Sequence, residues 1–327
     1  MTRSQDEAAE TVEPLTRETA AQTLKQVCQR TGLESAGAEL VRIGENAVFR
    51  LREPVIVRIA RTSRYADAAA KEVAVARWLE SADYPATRAL DVEQPIVVDG
   101  RVATVWESVS EHEEYGDIGQ VATLIRDLHR LDPPETLELP ELDPFVRADT
   151  RLAKVRGVSD DDLAFLHEGL ADARRKWNEL EFVLPHGPVH GDASIGNVIR
   201  ASDGHAVLID LDGFATGPRE WDLIQTAMYY DRFGWHTREK YETFVGIYGY
   251  DLLEWSGYSD LAAIREVLMT IWLSQKAGDD ERDTLTSTYL CRASMRPLHM
   301  ALQFHLIEKL PTSTHRHKDL FHEHPHQ

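Results

Sequence analysis

Residues 185–223 read PHGPVHGDASIGNVIRASDGHAVLIDLDGFATGPREWDL, and the way this stretch turns decides the fold. Val198-Ile199 and Ala206-Val207-Leu208-Ile209 are short apolar runs of strand character, and Asp203-Gly204 between them is a two-residue hairpin signal. With that pair as the turn, Ser202 pairs with His205, and counting back along the ladder sets Asn197 opposite Asp210. Asp192 lies five residues before Asn197, in a loop able to fold over the same end of the ribbon. A carboxylate, an amide oxygen and a second carboxylate then converge. Oxygen-only ligands of this kind suit Mg²⁺, which takes one or two carboxylates and fills its shell with water and phosphate.

The remainder of the chain bounds the chemistry. Its 327 residues suffice for one large domain or two, and 43% hydrophobic content is ordinary for a globular protein. No apolar run approaches the length of a membrane span, and MTRSQDEAAE has no apolar signal core, so a cytoplasmic protein is expected. Cys28 and Cys291 form no disulfide framework and fit a reducing compartment. The net charge of −19 argues against nucleic-acid binding, which needs Lys and Arg against phosphate. The same charge gives solubility and, more specifically, a field that draws cationic substrates. Residues 1–13 are polar and read as disordered. The tail 315–327 holds five of the fourteen histidines and reads as a mobile terminus, although such a tail can also chelate a transition metal.

Taken in order, the chain first gives a helix from Thr16 to Gln29. A strand at Leu40–Ile43, a turn at Gly44–Ala47 and a strand at Val48–Leu51 follow, with a third strand at Val55–Ile59. A helix over Ala66–Leu79 leads to a hairpin, Pro95–Val98 and Val102–Val109, turning at Asp99-Gly100. A polar connector, Glu111-His112-Glu113-Glu114, marks a boundary that divides the chain into 1–110 and 111–327. Beyond it come helices at Ile118–Leu131, capped by Asp117, and from Ser159, where Ser159 and Asp162 suggest a capping box. Further helices are expected from Arg219 and over Thr237–Tyr248, Asp260–Lys276 and Asp283–Ile307. The run Val267–Leu273 is apolar all round and reads as buried.

The ordered pattern His190-Gly191-Asp192, Asn197, Ile209-Asp210-Leu211-Asp212 and Asp222-Leu223 resembles the core of the aminoglycoside phosphotransferase and choline kinase group. These are distant relatives of the protein kinases, and the resemblance implies an α+β, bilobal, protein-kinase-like fold. Residues 1–110 would form a small lobe with an antiparallel sheet and a helix, and 111–327 a larger, mainly helical lobe. The implied activity is transfer of the γ-phosphate of ATP or GTP, with Mg²⁺, to a hydroxyl of a small molecule. Relatives with this core serve aminoglycosides, other amino sugars, choline-like amines and simple sugars; an antibiotic acceptor would make the chain a resistance enzyme.

The resemblance also implies roles. Asp192 would be the catalytic base, Asn197 and Asp210 the metal ligands, and Asp212 a ligand for a second ion or a solvent-facing strand-end Asp. His190 and Asp222 would be structural. Gly44, Glu45 and Asn46 would cover the nucleotide phosphates, although alone they are an ordinary hairpin turn. Arg58 stands where kinases place a lysine and Glu72 where its helix partner lies; alone, this pair reads as a surface ion pair. Trp106, Glu107 and Val109 would line the adenine site, and core packing explains Trp106 equally. Asp231, Asp279, Asp280 and Glu281 are candidates for a cationic acceptor. The eleven residues between Asp210 and Asp222 leave little room for the peptide platform of a protein kinase. A metal-dependent phosphohydrolase built on His190, Asp192, Asp210 and Asp212, or a catalytically dead binding module, are the alternatives. A monomer or homodimer is expected.

Overall fold

The computed structural model describes residues 13–44, 46–110, 114–201 and 203–275. Helix α1 (Arg17–Thr31) is fixed at its start by a reciprocal capping box between Thr16 and Thr19, and stops where Gly32 turns left-handed at φ 73°. It buries Ala20, Leu24, Val27 and Cys28, one stripe at helical spacing. Strands β1 (Glu39–Ile43) and β2 (Asn46–Arg50) follow. Ile43 pairs with Ala47, so the turn is tighter than the four residues expected. β3 (Val55–Ala60) buries alternate residues Val55, Val57 and Ile59 and leads into α2 (Ala66–Ser81). β4 (Ile96–Val98) and β5 (Arg101–Glu107) turn through Asp99 at φ 50° and Gly100 at φ 69°, the two left-handed residues that a tight hairpin needs. The sheet is antiparallel with strand order β1-β2-β3-β5-β4.

The second half is mostly helical. α3 (Ile118–Leu128) starts at an Asp117–Gln120 capping box and ends three residues before the expected Leu131. A short helix absent from the sequence reading, α4 (Ala148–Leu152), precedes α5 (Asp160–Glu179), which Ser159 caps by accepting the Asp162 N–H. The Asp162 carboxylate accepts from the Ser159 hydroxyl at 2.7 Å. Four short strands come next: β6 (His186–Val189), β7 (Val198–Arg200), β8 (Ala206–Leu208) and β9 (Ala215–Pro218). α6 (Glu220–Asp231), α7 (Arg238–Tyr248) and α8 (Tyr258–Ser274) complete the described chain. The expected helix at Asp283–Ile307 lies outside it. No helix among the described residues is long and apolar enough to cross a membrane.

Two expectations are corrected. The β7–β8 ladder pairs Val198 with Leu208, and Ala201 N–H donates to the His205 carbonyl, so Asn197 faces Ile209 and not Asp210. Ala201 and His205 flank the turn, and Gly204 at φ 87° closes it with its N–H on the Ala201 carbonyl. Asp-Gly marks a three-residue loop as well as a two-residue one, because both need a left-handed residue. In α8, Leu261, Ile264, Ile271 and Ser274 are buried, whereas Val267, Leu268, Met269, Trp272 and Leu273 are only half-buried. An apolar helix buries the stripe that its neighbours cover, not its whole circumference.

The chain divides into two compact units. The first comprises residues 1–116, 133–139 and 197–214, with a core of α1 residues against Phe49, Val57, Ile59 and Val105 of the sheet. The second comprises 117–132, 140–196 and 215–327, with a core of Phe145, Leu152, Leu166, Leu170, Ile264 and Ile271 from α4, α5, α8 and the preceding loop.

A Cβ at Gly204 would meet nothing within 4 Å, so replacing it costs only the backbone conformation. Gly204→Ala is therefore expected to lower stability by about 1 kcal/mol, seen as a fall in Tm. Gly204→Asn should recover part of that loss, because asparagine tolerates the left-handed region. An unchanged Tm for the alanine variant would contradict this turn.

Candidate active site

In the first unit, Arg58 lies on β3 between Val48 and Thr104. Its Nη1 contacts Glu72 Oε1 of α2 at 2.6 Å and lies 3.8 Å from Asp210 Oδ1. Its guanidinium sits 5.5 Å from the centre of the Trp106 ring. The side chains of Arg58 and Glu72 are only 16% and 10% exposed, so this is not the surface pair that the two residues suggest in isolation. Burial works against charge on Arg58, yet Glu72, Asp210 and Asp212 together raise its pKa. The pKa of Glu72 is raised, first by burial and then by Asp210 and Asp212, with Arg58 pulling the other way. The region thus holds a surplus of carboxylate charge.

Lys71, next to Glu72, donates from Nζ to the carbonyls of Asp212 and Phe214, each at 2.7 Å. About two turns further along α2, Trp78 meets the buried Phe214 edge-on at 5.9 Å. Helix α2 therefore holds the loop after β8 at two points. Asp210 enters that loop in a left-handed conformation, φ 65° and ψ 61°, which a non-glycine residue adopts at a cost of about 1 kcal/mol. Asn197 is placed at the other strand's end, where its carbonyl accepts the Ile209 N–H at 2.9 Å. Asp210, Asp212 and Asn197, the residues expected to meet a metal, thus all lie in this unit, at or beside the ends of β7 and β8. Among the described residues, no group of three or more His, Cys, Asp or Glu side chains forms a metal cage.

The other residues expected around a nucleotide are also in this unit. The Gly44 carbonyl accepts from Arg61 Nη2 at 2.7 Å, and a Cβ at Gly44 would meet nothing within 4 Å. Asn46 is exposed at the start of β2, and Glu45 lies outside the described residues. Trp106 is buried and its indole N–H is satisfied by Thr104 Oγ1 at 2.8 Å, which makes it a core residue. Glu107 N–H donates to the Arg88 carbonyl and Ser108 N–H to that of Pro54. Arg50 Nη1 reaches the Ser110 carbonyl at 2.8 Å, so the segment around half-buried Val109 is tied down.

The second unit holds Asp192 in the loop after β6. The Asp222 carboxylate on α6 is fully buried and accepts the backbone N–H of His190 at 2.7 Å and of Gly191 at 2.8 Å. His129 Nε2 lies 3.1 Å from the same carboxylate, with its Nδ1 2.8 Å from the Tyr248 hydroxyl. Gly191, at φ 88°, supplies the left-handed turn that lets both N–H groups face one side chain. Burial raises the pKa of Asp222, but hydrogen bonding and charge from His129, together with His190, bring it below the usual carboxylate value. Trp221 donates its indole N–H to the Gly191 carbonyl at 3.0 Å. His190 is fully buried, and its Nδ1 accepts the Asp192 N–H at 3.3 Å.

Sequence reasoning missed two residues here: Arg265, which bonds Asp192, and Tyr229, which feels its charge. Arg265 of α8 donates to Asp192 Oδ1 at 2.9 Å and to Gln225 Oε1 at 2.7 Å. Its one sequence signal is a charged residue in the middle of an apolar helix. Tyr229 has its pKa raised to about 12, mostly by burial and next by the charge of Asp192. Asp231, at the end of α6, is exposed and accepts from the Tyr258 hydroxyl at 2.9 Å. Asp279, Asp280 and Glu281 lie outside the described residues.

Asp222→Ala would leave two backbone N–H groups and His129 without their acceptor, and should cost about 3 kcal/mol in unfolding free energy. The pH dependence has a definite sign. A carboxylate whose folded pKa is depressed contributes stability above its unfolded value, here 3.8, and loses it as pH falls through the folded value. Acid unfolding of Asp222→Asn should therefore be flatter below about pH 4 than that of the wild type. Superimposable acid limbs in denaturant titrations would count against a charged Asp222.

The sequence model of the phosphotransferase enzyme family (APH) matches residues 39–261. No curated protein sequence matches the chain. Among solved structures, amicoumacin kinase hAmiN in complex with AMP-PNP, Ca²⁺ and Ami aligns with a TM-score of 0.70 at 13% identity, over 86% of this chain and 97% of that one. Aminoglycoside phosphotransferase APH(3'')-Id from Streptomyces rimosus aligns at 0.55 and 21% identity, over 78% and 99%. A choline/ethanolamine kinase family protein from Mesorhizobium loti aligns at 0.55 and 15%, over 85% and 97%. At such identities the likeness is one of fold, the protein-kinase-like one: an antiparallel N-terminal sheet with a helix and a mostly helical remainder.

Proposed function

The chain belongs to the phosphotransferase enzyme family, and on that premise we propose that it is a kinase transferring the γ-phosphoryl group of ATP or GTP to a hydroxyl of a cationic small molecule. The observation that carries the reading is the buried Arg58–Glu72 pair with Asp210 beside it. A buried guanidinium bound on one side by a helix carboxylate is a fixed positive charge suited to nucleotide phosphates. Gly44, Glu45 and Asn46 cover those phosphates, while Glu107 and Val109 offer backbone groups to the base, with Trp106 behind it. In this division of labour residues 1–110 cover the nucleotide and 111–327 handle the acceptor. Asn197 and Asp210, with Asp212, would hold Mg²⁺, which supplies charge neutralisation on the phosphates. Asp192 accepts the proton of the acceptor hydroxyl as its oxygen bonds to the γ-phosphorus and the nucleoside diphosphate leaves.

Asp192→Asn should lower kcat by ~10²-fold or more while nucleotide affinity stays near the wild-type value, the usual split for a lost general base. The assay is ADP or GDP release over a panel of hydroxylated amines and neutral sugars, with nucleotide binding followed by fluorescence. Wild-type turnover in this variant would move the base role elsewhere.

A cationic acceptor is favoured by the net charge of −19 and by exposed Asp231, and relatives of this fold are named for aminoglycosides, choline or ethanolamine. Surface charges are screened beyond roughly 8–10 Å at physiological salt. kcat/KM for the best amine should therefore fall steeply between low and physiological ionic strength. A flat response, with a neutral sugar as best acceptor, would refute the charge preference and leave the kinase reading intact.

A further inference from the structure

The Asp192 side chain is 54% exposed, whereas the backbone around it is held by buried groups. An exposed aspartate samples several rotamers, so the backbone bonds from Asp222 and Trp221 do not by themselves aim its carboxylate. Arg265 bonds that carboxylate directly. Its guanidinium is anchored twice before it reaches Asp192: it lies 4.8 Å over the Trp221 ring, and its Nη2 donates to Gln225 Oε1 at 2.7 Å. Trp221 and Gln225 are four residues apart on α6 and so share a face of that helix. The same Nη2 donates to Asp192 Oδ1 at 2.9 Å, one N–H for each acceptor.

We propose that Arg265 is a positioning residue that holds the Asp192 carboxylate in the orientation needed to take the acceptor's proton. The proposal rests on the reading of Asp192 as the base. A bland alternative is a surface ion pair, which contributes about 0–1 kcal/mol and no more. Arg265 does not fit that description: its side chain is only 15% exposed, and a stacked ring and a glutamine fix it independently of Asp192. In phosphoryl transfer the transition state is loose and catalysis comes mostly from positioning and charge, not from strong proton abstraction. Misplacement by an ångström costs up to ~10²-fold.

The variants are Arg265→Met, which keeps the aliphatic stem over Trp221, and Arg265→Lys, which keeps the charge without the planar fork. Crystal structures of wild type and Arg265→Met give a readout that needs no acceptor. The Asp192 carboxylate should occupy one conformer in the wild type and rotate or split in the variant, while the His190 and Gly191 bonds to Asp222 persist. With Mg-ATP and the fastest acceptor of the panel, Arg265→Met should lose ~10-fold or more in kcat with nucleotide KM within two-fold. Arg265→Lys should fall between, and added guanidinium ion should restore part of the Arg265→Met rate. In the Asp192→Asn background, Arg265→Met should cost nothing further, since both changes remove one function. An unmoved carboxylate in Arg265→Met, or a kcat within two-fold of wild type, overturns the proposal. Retained turnover in Asp192→Asn alone instead overturns the base assignment, so the two failures are told apart.

Discussion

A charge with no exposure at all sets the shape of the loop that carries Asp192. The Asp222 carboxylate stands in the first turn of α6, where the helix dipole favours an anion, and it is repaid for burial by two backbone N–H groups and His129. The two residues before it act on the same segment. Trp221 takes the Gly191 carbonyl, and buried Glu220 accepts the N–H groups of Val183 and Leu184 at 2.7 and 2.8 Å. Three consecutive residues of one helix thus satisfy backbone groups on both flanks of β6. Such a loop needs no regular pairing of its own, because its polar groups are already matched. Its conformation is fixed by α6 before any substrate arrives.

The first unit uses a helix in a comparable way, with opposite charges. Lys71 takes two carbonyls of the loop after β8, and Glu72 takes the guanidinium of Arg58 on the sheet. Two adjacent residues of α2 therefore connect β3 with the loop that follows Asp210. Displacing α2 would disturb both contacts together. The coupling is one of geometry: Lys71 donates to the backbone carbonyls of Asp212 and Phe214, so the loop is held through its main chain.

Much of this was legible in the sequence, for physical reasons that also explain what was not. Thr16, Asp117, Ser159 and Thr237 each stand at a helix start and cap it with a side-chain oxygen, a local interaction readable from a few residues. The five-stranded sheet followed from alternation and from Asp99-Gly100. Strands β6 and β9 were invisible because Gly187, Pro188, Gly217 and Pro218 read as loop, whereas the two segments stabilise each other only through long-range pairing. The hairpin at Asp203-Gly204 was found one register off, since a left-handed glycine serves loops of either length. Arg265 and Gln225 were missed altogether. Their role depends on α8 lying beside α6, which no local pattern encodes.

The charges near the reacting groups are arranged differently in the two units. Around Arg58, burial first and then the charges of Asp210 and Asp212 push the pKa of Glu72 up, while Arg58 and Lys71 pull it down. Around Asp192 the balance is already struck, because Arg265 neutralises the carboxylate at contact distance. A cationic acceptor therefore gains little from Asp192 itself as it arrives. Its attraction must come from the acidic surface at longer range, where screening weakens each charge but many act together. Selection of that kind governs encounter and leaves the chemical step untouched, so on the proposed reading charge preference belongs in kcat/KM and positioning in kcat.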